Sequence, residues 1–394
     1  MTPALAALLV AVFINIAGFS LILPLLPFYG QEFNASPIEI ALLFAAYSFG
    51  NVFGETWWGR LSDKLGRKRV LSGAMACAAL TYIAFAFAPT YAAALLIRVV
   101  SGFFSGTLGV AQGYIADITP PESRAKNMGY FGAAFNLGFA VGPAIGGLLA
   151  IPDTGLAGFR PPIFAAAGLA AGAAIWSFLV LKDTRAGAMR PMPKFVEAWN
   201  FVRGEGLLLR LFIISFCGIA AFASMEAVFG LWTESSFGWT AREVGLAFIA
   251  VGAAGMVVQV FFIGPLVKQF GEARVIVGGL GLLVAAMLFM PVLRAPAAAV
   301  ALMSLLMMGH SLAFPNAGAL LSRGTPPDRQ GSVMGLLMAS NALSRIVAPP
   351  LFGLIYSLNM DAPYYMGAIM ILCVMPVAWQ VVNIRDRQGA AANG

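Results

Sequence analysis

Charge is scarce in this sequence. Of its 394 residues, 10% are charged and 60% are apolar, whereas a soluble domain carries about 25% charged residues. A single histidine and three scattered cysteines provide neither a disulfide framework nor a cluster of metal ligands. The sequence also lacks the G-x-x-x-x-G-K-S/T phosphate loop of ATP-driven proteins and a Ser/His/Asp set on a soluble scaffold. We therefore predict no enzymatic activity, no cofactor and no metal site.

Long apolar runs take the place of the missing charge. A helix of about 20 apolar residues crosses the hydrocarbon core of a bilayer, and the chain contains twelve runs of that kind. We predict an all-α polytopic membrane protein with twelve transmembrane helices. The predicted spans are 4–29, 37–58, 70–88, 91–116, 126–150, 161–181, 208–233, 242–266, 274–293, 296–322, 330–357 and 362–384.

The positions of lysine and arginine orient these spans. With both termini in the cytoplasm, 19 of the 24 basic residues fall in cytoplasmic segments, and only Arg160, Arg242 and Arg294 lie outside. Cytoplasmic loops carry such an excess, so the net charge of +7 is an orientation signal and not a nucleic-acid site. We predict a multi-pass protein of the cell (inner) membrane, in contact with lipid, with both termini cytoplasmic.

One short segment, residues 59–69, holds five cations and a lone carboxylate, Asp63. Glycine permits tight reversals, and we expect Gly59 and Gly66 to form one here. On composition alone the segment is a basic membrane anchor, but its spacing G-x-x-x-D-x-x-G-R-K-R resembles the loop between helices 2 and 3 of major facilitator superfamily transporters. The resemblance implies that Asp63 caps helix 11 and that Arg67 pairs with an acid at the inner end of helix 4. The implied conformational latch comprises Gly59, Asp63, Gly66, Arg67, Lys68 and Asp117.

The sequence repeats at about half its length. Residues 59–70 match 264–275, and 119–122 match 325–328. Parallel repeats of six helices, with substrate held between them near the midplane, are the arrangement of this superfamily. We predict two pseudo-symmetric six-helix bundles, 1–181 and 208–394, joined by a cytoplasmic linker, 182–207, with an amphipathic segment. Because Lys268 and Glu272 replace Asp63 and Arg67, we expect the second copy to keep only the turn.

A glycine motif lies in span 5. Residues 138–147 read GFAVGPAIGG, and glycines four residues apart permit close helix contact. Packing alone could explain them, but the pattern G-x3-G-P-x2-G-G resembles the helix-5 motif of drug:proton antiporters, a group that includes tetracycline exporters. This resemblance implies export and rests on Gly138, Gly142, Pro143, Gly146 and Gly147.

Apart from acids in the first three residues of a span, two carboxylic acids lie within the spans. Glu226 is deep in span 7, where burial favours the neutral form of a carboxyl group. A group that charges when water or an arginine reaches it can carry protons; the alternative is a protonated glutamate that bonds to a neighbouring helix. Glu55 lies near the inner end of span 2, where it either takes part in proton coupling or supports the basic loop.

Three basic groups also lie within the spans. Arg98 resembles the helix-4 arginine of the family, which is linked to proton movement, although an arginine bonded to helix carbonyls would serve structure alone. Arg345 in span 11 either balances Glu226 or attracts an anionic substrate. His310 in span 10 is either a packed polar residue or a participant in proton transfer.

The sequence departs from tetracycline exporters at two positions. Their aspartates in helices 1 and 3 correspond here to Asn15 and Thr81, so recognition of a tetracycline–metal complex is not predicted. Any proton coupling must use other residues, which strengthens the case for Glu226. We expect an apolar, aromatic cavity with a few polar groups. Its candidate residues are Asn15, Phe19, Gln112, Phe135, Asn136, Met225, Phe229, Trp232, Phe314 and Asn316.

These features together predict a monomeric, proton-coupled antiporter that exports amphipathic or lipophilic small molecules or drugs by alternating access. Three alternatives stay open. The chain could export one endogenous metabolite or lipid, act as a facilitator or importer of sugars or organic anions, or serve as a membrane sensor or scaffold without transport. The partners expected are a small-molecule substrate, protons and membrane lipid, with no nucleic acid.

Overall fold

A computed structural model describes residues 2–151, 154–184, 195–326 and 329–393. Over these residues the secondary structure is helical, and twelve helices are long and apolar enough to cross a membrane. The prediction of an all-α polytopic membrane protein with twelve spans is therefore confirmed. Two of the stretches outside the described residues fall on features that the sequence predicts. They are 185–194, in the middle of the predicted linker, and 327–328, in the repeat copy of residues 119–122.

The twelve spans are numbered α1 to α12 in chain order. The first six are α1 Pro3–Gln31, α2 Pro37–Leu65, α3 Arg67–Ala86, α4 Tyr91–Ile118, α5 Pro121–Leu149 and α6 Gly155–Val180. The last six are α7 Gly206–Phe237, α8 Ala241–Phe270, α9 Glu272–Phe289, α10 Pro296–Arg323, α11 Gln330–Leu358 and α12 Ala362–Asn393. A shorter linker helix, Phe195–Gly204, precedes α7.

The reversals at the two repeated loops each depend on one glycine. Gly66 has φ +95° between α2 and α3, and Gly271 has φ +79° between α8 and α9; both values lie in the region that only glycine adopts readily. Gly59 does not take part in a reversal, because α2 continues as a helix to Leu65. The expectation for Gly59 is corrected accordingly: it is a helical residue, and the turn is made by Gly66 alone.

Several spans are interrupted. In α1 a 3-10 turn, Leu23–Leu25, contains Pro24, which cannot donate a helical hydrogen bond. In α4 the helix is broken at Gly106 and Thr107, and α8 contains a π-helical segment, Val258–Phe262. The prolines of α10 and α11 lie inside continuous helices instead (Pro315, Pro349 and Pro350).

The chain divides into two compact units. The first unit comprises Met1–Pro191 and Gly230–Gly252, and the second comprises Met192–Phe229 and Ala253–Gly394. The end of α7 and the start of α8 therefore group with the first six spans. In the second unit, the linker helix buries Ala198 and Val202 and packs against α11, while Val196 and Trp199 are exposed.

Glycines bring α2 and α4 into backbone contact within the first unit. A Cβ atom on Gly50 would overlap the carbonyl oxygen of Val99, and one on Gly102 would overlap that of Tyr47. Gly54 and Gly106 make the same close approach one turn further along. Lipid tails are as apolar as the side chains, so such close packing is a main source of helix association in a membrane.

Candidate transport site

Arg98 is enclosed by neutral groups in the first unit. The residue is 1% exposed, and its Nε donates a hydrogen bond to the carbonyl oxygen of Leu43 at 3.2 Å. Its Cζ lies 4.6 Å from the centre of the Tyr47 ring and 5.9 Å from that of Phe85. A desolvated cation over an aromatic face gains about 2 kcal/mol. Within the described part of the chain no carboxylate forms an ion pair with this guanidinium.

Hydroxyl groups complete the surroundings of Arg98. The Ser105 side chain interacts with the hydroxyl groups of Tyr47 and Tyr82. Ser101 Oγ donates to Thr81 Oγ1 at 2.8 Å, and Thr81 donates in turn to the carbonyl oxygen of Ala78 at 2.7 Å. Thr81, where tetracycline exporters carry an aspartate, is thus part of a neutral hydrogen-bond chain. The carboxyl group of Glu55 acts on Tyr47, so one acid borders this otherwise neutral cluster without contacting Arg98.

The second unit gathers three of the predicted proton-coupling residues. Glu226 is 7% exposed, and the charge of Arg345 acts on both Glu226 and His310. The His310 ring centre lies 4.1 Å from that of Phe222 and 4.7 Å from that of Phe314. Glu226 Oε1 and His310 Nε2 are buried and have no hydrogen-bond partner among the described residues.

Asn341, one helical turn before Arg345 on α11, is a further polar residue that the sequence did not single out. Its Oδ1 is also buried without a partner in the described part of the chain. Asn341 and Arg345 are four residues apart on α11 and therefore share a face, as do Phe222 and Glu226 on α7. The four-residue spacing between Asn341 and Arg345 was the one signal in the sequence that pointed to Asn341. Unpaired buried polar groups cost about 1–3 kcal/mol each, so this cluster offers unused hydrogen-bonding capacity to a proton, a water molecule or a substrate.

The latch residues lie together at the α2–α3 turn. Arg67 is 5% exposed; it pairs with Asp63 at 2.6 Å and with Asp117 of α4 at 3.3 Å, and it donates to Ser62 Oγ. Lys68 Nζ instead lies 5.2 Å from the centre of the Phe178 ring. The capping of α11 by Asp63 stays a prediction.

The second repeat contains a corresponding ion pair of opposite polarity. Glu272 and Arg323, which occupy the repeat positions of Arg67 and Asp117, form a salt bridge. The expectation that this copy keeps only the turn is therefore wrong. Both charges are exchanged, so the attraction between the two positions is retained. The cation of the second pair is the more exposed one. The Arg323 side chain is 62% exposed, whereas the Arg67 side chain is 6% exposed.

The glycine motif of α5 packs against α1. A Cβ atom on Gly138 would lie 2.7 Å from the carbonyl oxygen of Phe13; Cβ atoms on Gly142 and Gly146 would overlap Ser20 and Leu21. Gly147 faces α8, because its added Cβ would lie 2.8 Å from Gly245 Cα. Ser20 Oγ also donates to the carbonyl oxygen of Gly138 at 3.1 Å. Pro143 lies inside the continuous helix, with its carbonyl oxygen against Gly245.

Comparison with known proteins decides the family. Residues 8–261 and 228–393 match the family model described as Major Facilitator Superfamily. The chain belongs to this superfamily. It is therefore a transporter of that type and not an enzyme, as the sequence predicts.

Individual relatives and structures of superfamily members resemble the whole chain. The tetracycline resistance protein, class C, of Escherichia coli is 28% identical over 95% of this chain and 96% of its own length. The quinolone resistance protein NorA of Staphylococcus aureus is 26% identical over 90% of each chain. The crystal structure of the human organic anion transporter MFSD10 covers 95% of this chain and 99% of its own, with a TM-score of 0.72 and 20% identity; this likeness concerns the fold alone.

The residues expected to line the superfamily cavity differ in exposure. Asn15, Phe19, Phe135, Asn136 and Phe314 are partly exposed and Gln112 is exposed, as lining residues must be. Met225, Phe229 and Trp232 are 0% exposed, so they offer no open surface in this conformation. Asn316 is buried, and its amide donates to the carbonyl oxygen of Leu312 at 2.7 Å.

Proposed function

We propose that this transporter exports amphipathic or lipophilic small molecules in exchange for protons by alternating access. The observation that carries the proposal is the cluster of Glu226, Arg345 and His310, where a buried carboxyl oxygen without a partner lies in the field of a cation. The similarity to a tetracycline resistance protein and a quinolone resistance protein supports export of small drugs. We place the protein in the cell (inner) membrane with both termini cytoplasmic, as a monomer.

The proton step follows from the chemistry of Glu226. The neutral acid tolerates burial, whereas the carboxylate requires water or the nearby guanidinium of Arg345. Protonation therefore weakens the attraction between α7 and α11, and deprotonation restores it. A change of about 1–3 kcal/mol in the free-energy difference between two conformations is enough to shift which one is more populated. A gradient that supplies about 2.3 kcal/mol per charge per 100 mV is sufficient to drive the cycle.

The proposal excludes tetracycline–metal complexes as the preferred substrate. Thr81 is fully engaged in a neutral hydrogen-bond chain, and Asn15 replaces the other aspartate. Substrates with an apolar body and one polar or cationic group fit the aromatic surroundings of His310 better. In this scheme the substrate competes with the proton for the cluster that contains Glu226.

Reconstituted protein tests the proposal. Liposomes with an acidic interior and an internal pH dye receive lipophilic cations, neutral drugs and anions one at a time. We expect substrate-triggered proton release from the wild-type protein and from Glu55→Gln, the matched control that removes the other acid within a span, and no release from Glu226→Gln. Release by Glu226→Gln at the wild-type rate, with the same pH dependence, would contradict the coupling role of Glu226.

A facilitator of organic anions is the second candidate. It is favoured by Arg98, a buried cation without an ion-pair partner in the described part of the chain. Counterflow of an anion without pH dependence, together with no proton release from any compound, would establish this alternative. A single tight competitor among many compounds would instead favour an exporter of one endogenous metabolite or lipid.

A further inference from the structure

A cavity of about 320 Å³ lies in the first unit, apart from the clusters around Arg98 and Glu226. Its walls come from the end of α1, the segment that leads into α6, and the turn between α7 and α8. The cavity lies at the C-terminal end of α1, the end away from the N-terminus of the chain. With the orientation predicted from the basic loops, this end faces the cell exterior.

The lining combines aromatic rings with acidic groups. Phe28, Phe159 and Trp239 contribute rings, while Glu32 and Glu234 contribute carboxylates. Among the described residues that line the cavity there is no lysine or arginine. Aromatic faces with nearby carboxylates attract organic cations, and quaternary ammonium groups are bound by such aromatic enclosures. The volume is at the lower end of the range for small-molecule sites, about 300–1,000 Å³.

Local contacts hold both carboxylates at the wall. Gln31 Nε2 donates to Glu234 Oε2 at 2.5 Å, which joins the end of α1 to the end of α7. Glu32 Oε2 lies against Gly155, 3.3 Å from the position that a Cβ atom would occupy there. Gly155 has φ +61°, a conformation that favours glycine, and a side chain there would crowd the Glu32 carboxylate. The carboxylates therefore stand on different segments around one space.

Two positive groups close to the cavity have contacts of their own. The N-terminus of α8 adjoins the cavity at Thr240 and Ala241, but Glu243 caps it by accepting a hydrogen bond from the Thr240 amide at 2.8 Å. Arg160, at the start of the main part of α6, lies over the Phe87 ring with its Cζ 5.1 Å from the ring centre. Neither Arg160 nor Arg242 is among the residues that line the cavity.

We propose that this cavity is a second binding site, which takes an organic cation with an apolar body. A cation bound there contacts α1 and the α7–α8 turn at once and so holds these two segments together. Because alternating access requires the outer ends of the helices to separate, external cations at this site slow transport. The site does not depend on proton coupling through Glu226.

Binding of radiolabelled tetraphenylphosphonium to the purified full-length protein, measured by scintillation proximity, tests the site. The background is Glu226→Gln, so that the central carboxylate does not contribute. We expect binding to persist in this background and to weaken at least tenfold when Glu32→Gln or Trp239→Leu is added. Trp239→Phe keeps an aromatic face and should remain within threefold, which separates loss of the ring from loss of the fold.

Tetraphenylborate, which has the same shape and the opposite charge, is the matched probe, and its binding is measured separately because the two ions pair with each other in one solution. Clearly weaker binding of the borate than of the phosphonium supports a cation site. Equal binding of the two ions, or unchanged affinity in both Glu32→Gln and Trp239→Leu, would overturn the proposal. Loss of binding in Glu226→Gln alone would also overturn it, because the phosphonium would then occupy only the central site.

Discussion

The two units each enclose an arginine, but in opposite chemical surroundings. Arg98 is held by a carbonyl oxygen and aromatic faces, groups that do not change charge near neutral pH. Arg345 instead acts on a carboxyl group and an imidazole, both of which can gain or lose a proton. In the proposed scheme the first arginine is a fixed charge, whereas the second belongs to a cluster whose net charge varies. That scheme assigns proton uptake to the second unit.

The repeated loops differ in a second way. Both contain a salt bridge at equivalent positions, but Arg67 and Asp117 are replaced by Glu272 and Arg323. The first cation is almost fully buried and contacts two carboxylates, while the second salt bridge has its cation in solvent. Both loops keep an ion pair at equivalent positions, although the acid and the base have exchanged places. We infer that the ion pair matters in both loops, and not which position carries the positive charge.

The largest effect should come from removing Arg67. Arg67→Ala leaves Asp63 and Asp117 without their shared cation, and loss of one partner of a buried pair costs about 3–5 kcal/mol. Arg323→Ala removes a cation that is 62% exposed and pairs with only one carboxylate among the described residues, so its loss should cost less. Thermal unfolding of the solubilised protein should show a clearly larger loss for Arg67→Ala.

An exchange of charges sharpens this test. The double variant Glu272→Arg/Arg323→Glu restores the polarity of the first repeat and should transport like the wild-type protein. Glu272→Arg alone places two cations together and should be impaired. Equal impairment of the double variant would show that polarity, and not pairing, matters in the second loop.

The next largest effect separates the two arginines. In Arg345→Gln the carboxylate form of Glu226 loses its cation, so the acid stays protonated and we expect substrate-triggered proton release to fall at least tenfold. In Arg98→Gln the rate should fall while the pH dependence of the remaining transport is unchanged. A pH profile of proton release in liposomes measures both. A flattened pH profile of proton release for Arg98→Gln would show that Arg98 also affects proton coupling, and would contradict the assignment of Arg98 as a fixed charge.

A smaller effect concerns the ring that faces Arg98. Tyr47→Leu removes the aromatic face at 4.6 Å and the stacking on Phe19, and should lower the free energy of unfolding by about 2 kcal/mol. Tyr47→Phe keeps both ring contacts and loses only the hydroxyl bond to Ser105, for about 1 kcal/mol. Equal losses would mean that the hydroxyl, and not the ring, supports the arginine.

Much of the fold was predictable because the bilayer imposes a simple local rule. A span must be long and apolar, so runs of residues identify all twelve helices without knowledge of their contacts. The helix ends were less predictable. α2 continues past Gly59 to Leu65, because charged residues at a membrane face can remain helical and the reversal needs only the positive φ of Gly66.

The site was predictable where charge or a motif marked it. Glu226, Arg345 and His310 are conspicuous in apolar spans, and the structure brings them together. Tyr47, Ser105 and Asn341 carry no charge, and their roles depend on which helices pack together. The exchanged salt bridge was visible in principle, since Arg323 stands at the repeat position of Asp117, but only the spatial contact gives that substitution a meaning.

The smallest effect is expected from substitution of His310. It tests whether Glu226 alone accounts for the variable charge of the second unit. His310 lies between two aromatic rings with one nitrogen unpaired among the described residues, and the nearby Arg345 opposes a second positive charge there. His310→Gln should therefore change proton release less than threefold, since Glu226 remains. A loss as large as that of Glu226→Gln would make the imidazole an obligatory proton carrier and extend the variable charge across α7 and α10.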